Sequence, residues 1–268
     1  MNSLKTTNYA GRTVWSTLGF IWLGWAVLMA FMGMWGLALA TSAVFALGLL
    51  DDLFGSGESK GFRGHLKALM QGILTTGGIK LFGISLISLL YAYYEVLGYG
   101  ANDTVALLPR VILALIAGAA IALTSNFLNL LDLRPGRAAK VYLLLIALVA
   151  MVVMATSRSF VVITPVILFA LPILTVILPD LREKGMLGDA GANTAGFIAG
   201  ALVVTLLSGW GMGSDEWISA PYFWAIFMYL LVMLALNLAS ERVSYSQIID
   251  NNPLLKKLDN IGRLKNGE

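Results

Sequence analysis

The sequence predicts an all-α polytopic membrane protein with about eight transmembrane helices, and three observations lead to this prediction. Of the 268 residues, 58% are hydrophobic and only 12% are charged, against roughly a quarter charged in an ordinary soluble domain. The apolar residues form successive runs of the length that crosses a bilayer. Basic residues fall almost entirely in alternate connections between those runs. We therefore expect residues 1–268 to form a single transmembrane domain.

The predicted spans cover residues 14–30, 33–50, 72–97, 104–124, 140–156, 160–178, 191–208 and 221–239. Several runs are close to the minimum length of a span, which leaves one of them open to a re-entrant path. An even number of spans places both termini on one side of the membrane. That side holds most of the lysines and arginines, while the opposite connections hold Arg110 and Arg158. The positive-inside rule then predicts cytoplasmic termini.

The composition also excludes several classes of function. The chain has no cysteine and one histidine, His65, which excludes disulfide frameworks, thiol nucleophiles, iron–sulfur clusters and zinc ribbons. The basic residues are few and scattered, so we expect no nucleic-acid partner. His65 itself is predicted to lie in a loop.

Residues 243–264 have the pattern of a short amphipathic segment. Apolar residues recur along it, and lysines and arginines lie between and after them. We predict a C-terminal interfacial amphipathic helix, bent near Pro253. A solvated tail with chance periodicity is the alternative.

Two adjacent carboxylates, Asp51 and Asp52, end a predicted span. Charge is unfavourable at such a position, and neighbouring carboxylates raise each other's proton affinity. A divalent cation such as Mg²⁺, which prefers carboxylate and phosphate oxygens, relieves both problems. The glycine-rich loop that follows supplies three cations that are candidates for phosphate contacts: Lys60, Arg63 and Lys67. The alternative is a solvated loop that only follows the positive-inside rule.

Asn126, Asn129 and Asp132 recur every three residues and therefore share one face of a helix. Two amides and a carboxylate in a row suit recognition of a base or a sugar by hydrogen bonds. A polar ladder between helices is the structural alternative.

A third motif, Gly188-Asp189-Ala190-Gly191, comes just before a predicted span. Its small residues leave room for a metal ion beside Asp189, although such a motif alone is more often a loop or a helix cap. Lys80 lies inside another predicted span. Two positions stay open for it: its ammonium group reaches the membrane interface, or it lines a polar cavity that holds phosphate.

In order and spacing, the three motifs resemble those of the polyprenyl-phosphate N-acetylhexosamine-1-phosphate transferases. That superfamily contains phospho-N-acetylmuramoyl-pentapeptide transferase and undecaprenyl-phosphate GlcNAc-1-phosphate transferase (glycosyltransferase family 4). The motifs are Asp51-Asp52, Asn126-x-x-Asn129-x-x-Asp132 and Gly188-Asp189-x-Gly191. Asn8-Tyr9-x-Gly11-Arg12 also resembles the stretch after that family's first helix. The resemblance extends over nearly the whole chain.

The resemblance implies transfer of a sugar-1-phosphate from a UDP-N-acetylhexosamine to undecaprenyl or another polyprenyl phosphate, with release of UMP. It implies Mg²⁺ or Mn²⁺ as cofactor, an active site facing the cytoplasm of a bacterial plasma membrane, a role in cell-envelope glycopolymer synthesis, and a homodimer. Whether the acceptor attacks directly or through an aspartyl-phosphate stays open.

Carried over by position, the resemblance also implies roles for individual residues. Asp51, Asp52 and Asp189 are the expected catalytic residues, with Asp189 and Asp52 on the metal ion. Asn126, Asn129 and Asp132 are expected to hold the nucleotide sugar.

The chain differs from the family at several places. It begins where the family's second helix stands, and Leu133-Arg134-Pro135-Gly136 replaces the usual Gly-x-Asp-Gly after Asp132. The family's last-loop histidine motif is missing. Two other functions therefore remain as alternatives: a non-catalytic relative that binds the lipid carrier or the nucleotide sugar, and a transporter of lipid-linked sugars.

Overall fold

The computed structural model describes residues 4–7, 11–55, 61–98, 107–157, 166–207 and 220–263. Two short antiparallel strands, β1 (Lys5–Thr7) and β2 (Thr13–Trp15), come first, and a 3-10 turn (Leu18–Phe20) follows. The helices are then α1 (Ile21–Phe31), α2 (Trp35–Phe54), α3 (Gly61–Met70), α4 (Thr76–Gly98), α5 (Leu107–Leu131), α6 (Arg137–Ser157), α7 (Leu171–Leu181), α8 (Gly188–Leu207), α9 (Ala220–Ser240), α10 (Tyr245–Asn251) and α11 (Pro253–Asn260).

The fold is that of an all-α polytopic membrane protein. Within the described ranges, six helices are long and apolar enough to cross a membrane: α2, α4, α5, α6, α8 and α9. Two shorter apolar helical segments, Leu18–Phe31 and Val166–Leu181, coincide with the predicted spans 14–30 and 160–178. Long apolar runs thus predict the class of fold, while the two short runs form shorter helices.

Most predicted boundaries differ from the observed ones by a few residues, and two of them, at the first span and at α5, differ by seven. The first span was expected from residue 14, but Thr13–Trp15 pairs with Lys5–Thr7 and the α-helix starts only at Ile21. Helix α5 was expected to end near residue 124, but it continues to Leu131. Polar residues do not end α5 because they bond to neighbouring helices. The Ser125 hydroxyl, for example, donates to the Asn193 carbonyl at 2.8 Å.

Helix α8 is the centre of the bundle. Nearly all of its residues from Gly188 to Ala201 are buried, and it packs against α2, α5 and α6. Glycines bring the backbones together: a Cβ on Gly48 of α2 would lie 2.5 Å from the Ala190 Cα. Close approach through small residues is typical of helix packing in membranes. This contact lies one turn before Asp51 and Asp52, so it sets where α2 presents them to α8.

Gly48→Ala is therefore expected to lower the thermal stability of the purified protein, by about 1–3 kcal/mol of unfolding free energy. The added methyl group meets backbone atoms of α8, which cannot rotate away. Gly24→Ala in α1 is the matched control, because a Cβ there meets nothing within 4 Å. Thermal unfolding in detergent should separate the two variants, and equal melting temperatures would contradict this packing.

The C-terminal helices dock on the start of α6. The Asn252 side chain accepts hydrogen bonds from the Leu254 and Leu255 amides and so caps α11. Helix α10 ends at Asn251 and α11 begins at Pro253, so the helical segment is interrupted near Pro253 as predicted. The buried Arg137 donates to both carboxylate oxygens of Asp259, at 3.0 and 2.9 Å. A bidentate arginine–carboxylate pair fixes orientation as well as position. The start of α6 and the tail are thus held as one unit.

This pair predicts a dependence of stability on pH. Burial raises the pKa of Asp259, but the hydrogen bond from Arg137 and the charges of Arg263 and Arg137 outweigh burial and hold that pKa below its ordinary value. A depressed pKa in the folded state stabilises the protein above the unfolded-state pKa of about 4 and ceases to do so as pH falls through the folded value. We expect the melting temperature to decrease as the pH is lowered below about 4. In Asp259→Asn, the part of this decrease that is due to protonation of Asp259 should be absent.

Asp250→Asn serves as the control for Asp259→Asn. Asp250 pairs with Arg134 at 3.1 Å, but its side chain is 40% exposed, and exposed pairs contribute little to stability. At pH 7, Asp259→Asn should lower the melting temperature and Asp250→Asn should leave it nearly unchanged. Equal curves for Asp259→Asn and the parent protein would refute the anchoring role of Asp259.

Candidate functional site

A cavity of about 590 Å³ lies where α2 ends and α8 begins. Three separate parts of the chain line it with carboxylates: the end of α2, the turn after α5, and the start of α8. The polar residues among its lining are Lys5, Thr6, Ser16, Asp51, Asp52, Thr75, Thr76, Asn129, Asp132 and Asp189. Asp51, Asp52 and Asp189, which are far apart in sequence, therefore meet at one place.

Lys80 joins two of these carboxylates. Its Nζ lies 2.7 Å from Asp51 Oδ2 and 3.0 Å from Asp189 Oδ2. Lys80 lies in the second turn of α4, and α4 packs against α2. Lys80 is not itself part of the cavity lining, but its ammonium group binds two carboxylates that are. The ammonium group balances two carboxylates that would otherwise repel each other.

Asp52 and Asp132 cap the start of α8. Asp52 Oδ1 accepts from the Asp189 amide at 3.0 Å and Oδ2 accepts from the Ala190 amide at 2.9 Å. Asp132 Oδ2 accepts from the Gly188 amide at 3.0 Å. The first amides of a helix lack partners within the helix and carry partial positive charge, so carboxylates are favoured there. Two distant motifs thereby fix the position of the third.

The environment of Asp132 favours its protonated form. Burial raises the pKa of Asp132 well above its ordinary value, and the charge of nearby Asp180 raises it further, against the hydrogen bond donated by the Gly188 amide. Asp132 is therefore protonated more readily than an exposed aspartate.

Asn126 and Asn129 have different surroundings. Asn129 lines the cavity, whereas the Asn126 amide donates to Asn237 Oδ1 on α9 at 2.6 Å. Asn237 in turn donates to the Leu123 and Met233 carbonyls. This is the polar ladder between helices that stood as the alternative for the motif. A substrate-binding role for Asn126 stays a prediction.

The cations predicted after Asp52 lie partly outside the described residues. Lys60 is outside them, and Arg63 is described only as a backbone position in α3. Lys67 is exposed near the end of the same helix. The prediction of a loop here, with His65 in it, is wrong for residues 61–70: glycines at 61 and 64 do not prevent a helix in a stretch that has no proline and several good helix formers.

A second cavity, of about 480 Å³, lies next to the first and shares Asp132 with it. Asp180 at the end of α7 also lines this cavity and is buried. Sequence reasoning missed Asp180 as well as Ser16, whose hydroxyl donates to Asp52 Oδ1 at 3.3 Å. The feature of the sequence that could have marked Asp180 as a site residue is its position at the end of an apolar run, where Asp51 and Asp52 also stand.

Comparison of the chain with models of protein families, with curated proteins and with solved structures finds no match.

The carboxylates suit a metal ion that is shared with a substrate. Among the described residues, no group of three Asp, Glu, His or Cys side chains is arranged to hold a metal ion by itself. Mg²⁺, however, usually binds one or two carboxylates together with substrate phosphates. Asp189 is the more accessible carboxylate, with a side chain 32% exposed against 12% for Asp51. An exposed carboxylate of this kind is compatible with a Mg²⁺ ion that takes its remaining ligands from a bound molecule.

Proposed function

We propose that the chain transfers N-acetylhexosamine-1-phosphate from a UDP-sugar to a polyprenyl phosphate and releases UMP. In this proposal the six long and two shorter apolar helices form eight passages of a bacterial plasma membrane, with both termini in the cytoplasm. The cavity then opens toward the cytoplasm, where nucleotide sugars are found. The resemblance of the three motifs to the polyprenyl-phosphate transferases supports the reaction.

The meeting of the three motifs in one cavity carries this proposal. A polar ladder or a solvated loop does not require Asp51, Asp52, Asn129, Asp132 and Asp189 to line a common space, whereas a phosphoryl-transfer site does. The cavity lies at the ends of membrane-spanning helices, where a soluble donor and a lipid acceptor have access to the same groups. Its volume of about 590 Å³ is within the range of small-ligand pockets.

The reaction forms one P–O bond and breaks another. An oxygen of the acceptor phosphate attacks the sugar-linked phosphorus of the donor, the pyrophosphate bond breaks, and UMP leaves with the bonding electrons. Asp51 and Asp52 orient the acceptor, and Asn129 and Asp132 hold the nucleotide sugar. Lys60, Arg63 and Lys67 are the proposed phosphate contacts. Because Lys80 neutralises Asp51 and makes it a poor nucleophile, we propose direct attack.

Asp189 and Asp52 would hold the Mg²⁺ or Mn²⁺ ion of this reaction. When bound, the ion offsets the negative charge of the diphosphate in the transition state. Lys80 keeps Asp51 and Asp189 at a fixed separation, and Asp52 fixes the backbone from which the Asp189 side chain extends. Pre-positioned groups of this kind are the main source of catalysis in phosphoryl transfer.

The position of the charged groups favours a transferase over a transporter. Secondary transporters bind their substrates near the bilayer midplane, between discontinuous helices. Asp51 and Asp52 lie in the last turn of α2, and Asp189 lies in the first turn of α8. Lys80 is only about one turn from the start of α4. The charges are therefore at the membrane boundary.

The test is a donor panel with purified full-length protein, a polyprenyl phosphate and Mg²⁺, in which UMP release is measured. The panel contains UDP-GlcNAc, UDP-GalNAc, UDP-MurNAc-pentapeptide and a UDP-bacillosamine-like sugar, and each reaction is repeated with EDTA. We expect turnover with at least one N-acetylhexosamine donor and none with EDTA, and the peptide-bearing donor to be the poorest. If a folded preparation turns over none of them, the proposed catalysis is wrong. Donor binding without turnover, with an affinity that Asp51→Asn leaves unchanged, would favour the non-catalytic relative.

A further inference from the structure

Helix α11 contacts the rest of the protein through one narrow face. Asp259 is buried, while every other residue from Asn251 to Asn260 is exposed. Besides Arg137, the Asp259 carboxylate binds Arg263 at 2.8 Å, and the Lys140 ammonium group donates to the Asp259 carbonyl at 2.6 Å. Polar contacts along one line thus hold an otherwise exposed helix in a fixed orientation.

The rest of the α11 surface divides into two sectors. At about 100° per residue, apolar residues occupy one side of the line through Asp259 and polar residues the other. Leu254, Leu255, Leu258 and Ile261 are 66%, 38%, 51% and 57% exposed on the apolar side. The polar side holds Lys256, Lys257 and Asn260, which are also exposed. A helix with these two sectors is suited to lie between an apolar and an aqueous phase.

The position of α11 matches the boundary of the membrane. Arg137 and Lys140, which hold it, belong to the first turn of the membrane-spanning helix α6. One turn further along α6, Leu144 is 57% exposed, as expected of a side chain that faces lipid. The residues after α11 also bind the turn that precedes α6, because Arg263 Nε donates a hydrogen bond to the Pro135 carbonyl at 3.0 Å. The exposed leucines of α11 therefore lie at the level where a lipid-facing surface begins.

We infer that α11 binds the membrane surface, with its leucine sector in the outer acyl region and its lysine sector on anionic headgroups, and so holds the turn that follows Asp132. A bilayer fits this face better than a second protein. Four apolar side chains on a two-turn helix offer far less than the roughly 800 Å² per partner of a stable interface. The positive charge of the lysine sector complements anionic lipid, and apolar burial and this attraction add to each other.

Single cysteines can test the depth of α11 in the bilayer, since the natural chain has none. The variants Leu258→Cys and Asn260→Cys of the full chain are each labelled at the cysteine with a polarity-sensitive fluorophore. They are then placed in nanodiscs that contain anionic lipid. Lipids with a quencher on the acyl chain should quench the label at 258 several-fold more strongly than the label at 260. Equal quenching overturns the inference. A label at 258 shielded from aqueous quencher but not reached by lipid-borne quencher shows a protein partner and overturns it as well.

The lysine sector is tested separately. Anionic lipid should raise the melting temperature of the parent protein in nanodiscs, relative to zwitterionic lipid, and the double variant Lys256→Gln/Lys257→Gln should lose that rise. The variant should keep the melting temperature of the parent in zwitterionic lipid, which shows that it folds. An undiminished rise in the variant would exclude headgroup binding by these lysines. Neither measurement uses transferase activity, so the outcomes do not depend on the proposed reaction.

Discussion

Lys80→Met is expected to reduce UMP release to about 1% of the parent rate or less, because misplacement of groups at a reacting centre costs about 100-fold in rate. The substitution keeps the length of the side chain but leaves Asp51 and Asp189 without the ammonium group that lies 2.7 and 3.0 Å from them. The two carboxylates then repel each other and the cavity rearranges. Removal of one partner from a buried ion pair also destabilises a protein by roughly 3–5 kcal/mol.

A second substitution separates the effects of Lys80 on stability and on activity. In Lys80→Met/Asp51→Asn the unpaired charge at position 51 is gone, so the melting temperature should recover toward that of the parent. Turnover should stay lost, since two groups of the site are missing. Lys184→Met, at an exposed position outside the cavity lining, controls for loss of a lysine as such. Near-normal UMP release by Lys80→Met would contradict the proposed site.

The class of fold was predictable because the apolar runs of α2, α4, α5, α6, α8 and α9 carry a strong and repeated signal. The strand pair at the start was not predictable from its residues. Strands of three residues are too short for periodicity to show, and Val14 is the only residue of β2 that is buried. The Trp15 carbonyl also accepts a hydrogen bond from the Met186 amide at 2.9 Å, and a contact with so distant a part of the chain cannot be read from the residues of the strands.

The site was predictable as a set of carboxylates but not as a network. Sequence order and charge place Asp51, Asp52 and Asp189 at helix ends on one side of the membrane. Which of them pairs with Lys80 and which caps α8 depends on how α2 and α4 pack against α8. Asn126 shows the same limit: a ligand contact and a bond to another helix both require a polar side chain that points into the bundle, so spacing alone does not distinguish them.

Asp52→Ala is expected to impair both the fold and the reaction, because Asp52 fixes the first turn of α8. The substitution removes both acceptors for the Asp189 and Ala190 amides, and loss of a helix cap costs about 0.5–2 kcal/mol. Asp52→Asn should lie between the parent and Asp52→Ala, since one amide oxygen still accepts while the NH₂ group faces a backbone donor. We expect UMP release to fall about 100-fold or more in Asp52→Ala as the Asp189 side chain loses its position.

Ser16→Ala is the informative comparison for this cap. It removes the 3.3 Å hydrogen bond to Asp52 but leaves both backbone amides in place. If the amides of α8 are what Asp52 stabilises, Ser16→Ala should lower the melting temperature much less than Asp52→Ala and should retain most of the turnover. Thermal unfolding and UMP release on the three variants decide this. An Asp52→Ala protein that melts with the parent would show that α8 does not depend on this carboxylate, and the link between the fold and the site would be lost.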